Sequence, residues 1–331
     1  MRTLTQSRQA LTISAAAVLL AGCGGSQPPI GAPGAMPQSH ATATRAARGE
    51  SWMLPEAESE NLMYVSDPGL GGVVVYSYQP PRYKFVGFLS DPSYPLGECV
   101  DKAQDVFITS GGAIFEYPHG GSSPVRILGD PAGTPNSCAV DPVTGNLAVT
   151  AGGRTISGSI ALAVYKNGKG KPTLYQAPQF NYMLFCSYDA KGNLFVDGGT
   201  AASNAFLLAE LPKGGTTFTM IGVDQPIESP AGGVEWYGRH LLVGDNFKKV
   251  IYKYNIKAHQ AKEVAAVSLT GAFNVVQFLV RNSRLISPSG NIEGRSGFVA
   301  LYQFPQGGSP VRNLSNFSGP YAVVVSSTPP R

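Results

Sequence analysis

The chain has 331 residues, 25 of them Lys or Arg and 21 Asp or Glu, for a formal charge of +4, and two of the positive charges, Arg2 and Arg8, sit at its start. No run of Lys or Arg supplies the basic face that neutralises phosphates, which argues against a nucleic-acid partner. Forty glycines and 26 prolines, with few windows of helical apolar spacing, indicate short strands joined by many tight turns.

Residues 1–23 read as an export signal. Arg2 and Arg8 form a positive n-region, and residues 10–20 are an apolar stretch too short to span a bilayer as a stable helix. The stretch ends in Leu20-Ala21-Gly22-Cys23, which looks like a bacterial lipobox, the alternative being an ordinary secretory signal. In a lipobox the leader is removed before the Cys, here Cys23, which is acylated. Each buried methylene of an acyl chain adds about 0.8 kcal/mol, so two or three chains anchor firmly. Gly24 rather than Asp follows Cys23, so the inner-membrane retention signal is absent and the outer membrane is the expected destination. Residues 24–60 are expected to form a flexible tether, most clearly the Gly, Pro, Ala, Ser and Gln of residues 24–48. Trp52, Met53 and Leu54 either share that freedom or pack on the edge of the folded domain.

From residue 61 a phrase recurs about every 45 residues. It reads Asn61-Leu62-Met63-Tyr64-Val65, Asp105-Val106-Phe107-Ile108-Thr109, Asn146-Leu147-Ala148-Val149-Thr150, Asn193-Leu194-Phe195-Val196-Asp197, His240-Leu241-Leu242-Val243-Gly244 and Arg284-Leu285-Ile286-Ser287. That period, with four strands per unit, is the signature of a β-propeller blade. The third unit predicts strands over 137–141, 146–150, 160–165 and 171–176. The fourth predicts them over 185–189, 192–196, 206–211 and 217–221, with Gly, Asn and Asp turns between. The second and sixth units share a longer phrase, Tyr117-Pro118-His119-Gly120-Gly121-Ser122-Ser123-Pro124-Val125-Arg126 against Phe304-Pro305-Gln306-Gly307-Gly308-Ser309-Pro310-Val311-Arg312, which indicates internal duplication.

The first unit lacks a first strand, while Gly319-Pro320-Tyr321-Ala322-Val323-Val324-Val325 has first-strand character and no unit after it. The economical solution is an all-β, six-bladed propeller over residues 61–331, closed by the C-terminal strand joining the first blade, which leaves no open sheet edge. A seventh blade would need a unit that is not visible.

Cys138-Ala139-Val140-Asp141 followed by Gly145-Asn146-Leu147-Ala148-Val149, and Asp189 followed by Gly192-Asn193-Leu194-Phe195-Val196, resemble the NHL-repeat and gluconolactonase-like six-bladed propellers. The resemblance covers residues 61–325, and its motifs are structural, so they bear on fold more than on activity. The whole also looks like uncharacterised bacterial lipoproteins with a propeller behind a lipobox.

Cys99, Cys138 and Cys186 fall on the first strands of three successive units. Equivalent atoms of neighbouring inner strands are expected beyond the roughly 7 Å Cα limit of a disulfide. The expectation is therefore three buried thiols acting as small apolar residues, with a bridge or a thiolate metal site as alternatives. His119, His240 and His259 fall on a turn, a second strand and an outer hairpin, away from any channel.

Propellers work at the rim of the central channel, where first strands begin. Glu98, Asn136, Asn181, Tyr182, Asn274 and Tyr321 fall there, and Asp67, Asp197, Asp245 and Asn246 follow the second strands. The resemblance implies a Ca²⁺ held by Glu and Asn at first-strand starts, for which Glu98 and Asn136 fit by type. No matching Asp is found, and without a carboxylate base hydrolysis lacks its proton acceptor. Asp67, Asp141, Asp189 and Asp197 read as turn caps. No Gly-x-Ser-x-Gly elbow occurs, and Arg154 without a channel His does not make a quinone site. Two functions are carried forward. One is a monomeric, lipid-anchored binding or scaffold module of the cell envelope, without cofactor, for a protein, peptide or glycan partner. The other is a Ca²⁺-dependent lactonase or esterase.

Overall fold

A computed structural model describes residues 49–152, 161–228, 230, 232–291 and 296–328. The leader, Cys23, residues 24–48 and Arg154 lie outside the described residues.

Six blades follow one another in the chain. The first contains β1 (Trp52–Met53), β2 (Leu62–Asp67), β3 (Gly72–Ser77) and β4 (Phe85–Leu89). The second contains β5 (Pro95–Val100), β6 (Val106–Ser110), β7 (Ala113–Tyr117) and β8 (Arg126–Gly129). The third is β9 (Pro135–Val140), β10 (Leu147–Ala151), β11 (Ala161–Tyr165) and β12 (Thr173–Gln176). The fourth is β13 (Phe180–Tyr188), β14 (Leu194–Thr200), β15 (Phe206–Leu211) and β16 (Thr219–Val223). The fifth is β17 (Val234–Tyr237), β18 (His240–Asp245), β19 (Val250–Lys257) and β20 (Gln260–Ser268). The sixth is β21 (Leu279–Arg281), β22 (Arg284–Asn291), β23 (Ser296–Gln303) and β24 (Arg312–Phe317). The last strand, β25 (Ala322–Ser326), returns to the first blade and pairs antiparallel with β2, Tyr64 opposite Val324. The ring is thus closed as the repeat pattern predicts.

The repeated phrase forms the second strand of every blade because that strand is covered on both faces. In β2 all six residues are buried. Tyr64 packs with Val106 and Ile108 of the second blade, while its neighbour Met63 packs with Ile286 and Leu301 of the sixth. Each such side chain taken from water contributes roughly 1.5–3 kcal/mol, and the apolar run replaces the alternation of a half-exposed strand. The outer strands β16 and β20 are also hydrogen-bonded in parallel, Gly222 opposite Gln260, which joins blades four and five at their edges.

Two boundaries move. Within the stretch 24–60 expected as a tether, Trp52 and Met53 take the alternative of packing on the domain edge: they pair with Phe88 and Gly87 as a fifth strand on the first blade. Trp52 is buried there, edge-on to Phe85, because an indole gains more by covering the outer strand than by staying in water. In the fourth blade β13 starts at Phe180, five residues ahead of the predicted 185–189.

The duplicated phrase joins the third and fourth strands of blades two and six, and each copy docks on the preceding blade. The Gly120 N–H donates to Tyr64 Oη at 3.0 Å, and the Gly308 N–H donates to the Ser268 carbonyl at 2.8 Å.

The expectation of three free thiols is corrected. Cys99 and Cys138 form a disulfide, with Cα atoms 5.6 Å apart, and Cys186 is free and buried. The reason is register. Cys99 lies one residue before the end of β5 and pairs with Phe107, whereas Cys138 lies two before the end of β9 and pairs with Val149. Side chains alternate faces along a strand, so the two cysteines point towards each other across the gap between blades two and three, where both belong to one buried cluster. Cys186 occupies the Cys138 register in β13, paired with Val196. It faces the third blade, where its cluster holds Ala139 and no second cysteine among the described residues.

Candidate functional site in the central channel

The inner strands β25, β5, β9, β13, β17 and β21 surround a cavity of about 330 Å³ on the propeller axis. Its wall is richest in Val, with Phe and Cys, and is broken by two carboxyl groups, Glu98 and Glu235, and by the neutral polar side chains of Ser137, Ser187, Tyr188 and Gln277; among the described residues no Lys, Arg or His lines it. Glu98 is 1% exposed, one oxygen accepts the Ser66 hydroxyl at 2.7 Å, and Oε2 is buried without a hydrogen-bond partner. Desolvation pushes its pKa up to about 8, against the pull of the Ser66 hydroxyl and the Val324 amide. Glu235 takes the Val280 N–H on both oxygens, at 3.1 and 2.9 Å, and burial holds its carboxyl well above the ordinary range. The register that separates the cysteines also aims these groups: Glu98 leans towards blade one and Glu235 towards blade six, so they flank the arc of β21 and β25.

The end of the channel where the first strands begin is closed. The Tyr321 hydroxyl donates to Asn136 Oδ1 at 3.1 Å, Asn136 Nδ2 donates to the Leu184 carbonyl at 2.7 Å, and the Tyr321 ring stacks on Phe185 at 5.8 Å. Gln277 Nε2 donates to the Glu98 carbonyl at 2.6 Å, and its Oε1 accepts the Glu98 N–H at 3.1 Å. The Gln277 N–H donates to the Tyr321 carbonyl at 3.2 Å. Five of the six blades are thereby tied across the axis. From this lid the cavity wall runs to Val100, Val140, Tyr188 and Val325, at or near the far ends of the inner strands. The enterable space thus lies at the opposite end from the rim to which the sequence pattern pointed.

The rim residues are mostly engaged within the fold. Asn136 and Tyr321 meet as the lid. Asn181 Nδ2 donates to Asn204 Oδ1 at 2.7 Å, and the Tyr182 ring lies over Gly199, where a Cβ would collide with it. Asn274 pairs with both backbone groups of Gly290, at 2.7 and 3.0 Å. Asp245 accepts the N–H groups of Phe247 and Lys248, and Asn246 that of Val275. Asp67, Asp141 and Asp189 do cap turns. Asp197 does not: it lies inside β14, fully buried, where it accepts the Phe185 N–H at 2.8 Å and supports the lid from behind. Of the two residues proposed for calcium, Glu98 is among the residues lining the cavity, while the Asn136 oxygen is taken by Tyr321. Among the described residues no group of three or more His, Cys, Asp or Glu is gathered as for a metal ion.

Sequence reasoning missed Glu235, Gln277 and Ser66. Glu235 carries a usable signal, an acidic residue in Gly233-Val234-Glu235-Trp236, just ahead of the fifth copy of the second-strand phrase at His240. Gln277 and Ser66 carry none, since their roles depend on blades that meet only when the ring closes.

Two solved structures share this architecture. A chain in the crystal structure of a nidogen–laminin complex superposes with a TM-score of 0.65 at 13% identity, over 82% of this chain and 100% of that one. A protein of unknown function from Bacteroides caccae superposes with a TM-score of 0.59 at 14% identity, over 81% and 99%. The fold is a β-propeller. At such identities the likeness speaks for fold alone. No protein-family model matches the chain, and neither does any curated protein sequence.

Proposed function

We propose that the protein is a non-enzymatic binding or scaffold module, tethered by acylated Cys23 to the outer membrane of a bacterial envelope. In this reading it grips a protein, peptide or glycan partner with the propeller face on which the first strands begin. The observation that carries the reading is the set of exposed aromatic side chains on that face, where the opposite face exposes Val143 and Val311. Leu70, Tyr94, Phe247 and Phe273 stand 44%, 48%, 48% and 54% exposed, on loops around a channel mouth closed by Tyr321. Aromatic side chains at such positions bring large contact area with few torsions to fix. The Leu20-Ala21-Gly22-Cys23 motif supports the anchor. The resemblance to NHL-type propellers in bacterial lipoproteins agrees with the whole, and a monomer suffices because ring closure leaves no inner strand unpaired.

The test uses the full chain in a bacterial host. A photo-crosslinking residue at Tyr94 or Phe273 is expected to give discrete envelope adducts, and one at Val143 or Val311 on the opposite face to give none. Equal adducts from both faces, or none from the first, would refute the docking face. Cys23→Ser is expected to abolish acyl labelling and to release the protein from the membrane fraction. Persistence of both would refute the anchor.

A further inference from the structure

We propose that the central cavity is a binding site for a small aliphatic ammonium ion, held between the Glu98 and Glu235 carboxyl groups. The site lies beneath the lid, at the other end of the channel from the docking face, and stands whether or not that face binds a partner.

Three observations converge. First, the space lies on the propeller axis, walled by all six inner strands and open to solvent: about 330 Å³, at the small end of the roughly 300–1,000 Å³ of ligand pockets. Second, the charge-bearing side chains of the wall are acidic. Among the described residues Glu98 and Glu235 are the carboxyl groups on it, and no Lys, Arg or His is among its lining residues. A buried carboxyl without a cationic neighbour resists ionisation, so an ammonium ion entering the cavity supplies the partner the protein omits. Third, Glu98 is not satisfied by the protein. It is 1% exposed, it lines the cavity, and its Oε2 accepts no hydrogen bond while Oε1 is fixed by Ser66 at 2.7 Å. Buried acceptors are ordinarily matched, and this one is kept in place by a hydroxyl behind it.

The rest of the wall selects the kind of cation. Val100, Val140, Val234, Leu279 and Val323 present methyl groups, which suit methylenes and offer nothing to a hydrated metal ion that needs six to eight oxygens. A primary ammonium on a short alkyl chain matches both features: it donates up to three hydrogen bonds and buries its stem. That chemistry is shared by a free alkyl diamine and by a Lys side chain of another protein.

The test is calorimetric titration of the intact protein with 1,4-diaminobutane, with Nα-acetyl-lysine methylamide, and with 1,4-butanediol as the uncharged match. The same titrations are run on Glu98→Gln and Glu235→Gln, with thermal melts to check folding. Expected is saturable binding of an amine at millimolar concentration or below, none of the diol, and affinity at least about tenfold weaker in each variant. A tighter diamine identifies a free ligand, and a tighter lysine amide identifies a partner's side chain. If a variant melts abnormally, the amine-against-diol comparison still decides, since it needs no substitution. The proposal is overturned if neither amine binds, if the diol binds equally, or if both folded variants bind as the wild type does. It is also overturned if Ca²⁺ binds in a Glu98-dependent way while the amines do not.

Discussion

Glu98 combines a carboxyl group, complete burial and a single side-chain hydrogen-bond donor, which makes it a stability sensor as well as a cavity group. Its pKa rises from 4.5 to about 8 on folding, first because of desolvation. Between those values the unfolded chain is ionised at Glu98 and the folded chain holds the proton, so stability is full below about pH 4.5, declines as pH rises and levels off above about 8. Glu235 and Asp197, also raised by burial, act in the same direction. Urea unfolding across pH 5–9 should show this decline, and Glu98→Gln should flatten it by an amount on the order of a few kcal/mol. An unchanged slope in the variant would show that Glu98 stays ionised in the fold. The cysteines give a second prediction. Mapping of the unfolded chain without reductant should recover the Cys99 and Cys138 peptides joined and Cys186 alkylated. Replacing both bridged residues by Ala should cost about 3–4 kcal/mol, as expected for cross-linking positions 39 apart in sequence. All three cysteines were visible as inner-strand residues. The bridge was not, because it depends on whether Cys99 stands one or two residues from the end of its strand, and that single step decides which neighbouring blade a side chain faces.

Strands and turns were more legible than contacts. The predicted 206–211 coincides with β15 (Phe206–Leu211), and the apolar phrase places every second strand, since a strand covered on both faces must be apolar throughout. The additions to that plan, β1 on the first blade and the early start of β13, come from packing against neighbours that a local window does not contain. The duplicated turn shows how a copied sequence acquires separate constraints. Gly307 has φ +67° and Gly308 φ +79°, conformations in which a side chain is strained. A Cβ on Gly307 would also lie 2.5 Å from the Ser268 carbonyl oxygen, whereas one on Gly308 would meet nothing within 4 Å. Gly308→Ala should therefore cost about 1 kcal/mol, the backbone term alone, and Gly307→Ala clearly more, about 2–4 kcal/mol, since blade five must shift as well. Equal losses in thermal or urea unfolding would mean that the turn does not press on the preceding blade.

At the scale of the whole molecule the decisive feature is that the ring is closed by a strand lying about 260 residues from its partner, Ala322–Ser326 against Leu62–Asp67. Asp67 secures the approach: its carboxylate accepts the Ser318 N–H at 2.7 Å and the Gly319 N–H at 2.9 Å, besides the Leu70 N–H of its own turn at 3.0 Å. This closure was readable from the two chain ends, one lacking a first strand and the other carrying a spare one. What the closure does to the channel was not readable, because the segment that completes blade one also carries Tyr321, which crosses to Asn136 and Phe185 and so decides which end of the channel is shut. Deleting residues 320–331 should therefore do two things at once. It opens the edge of β2 and strips one wall from the buried clusters that Val323, Val324 and Val325 complete, so the shortened chain should aggregate or unfold without a cooperative transition. A peptide of residues 320–331 added in trans should restore a cooperative melt, whereas the same peptide with Tyr321→Ala should restore the melt but leave the channel open to small solutes from the lid end. A deletion variant that melts at the wild-type midpoint would mean that the first blade stands without its closing strand.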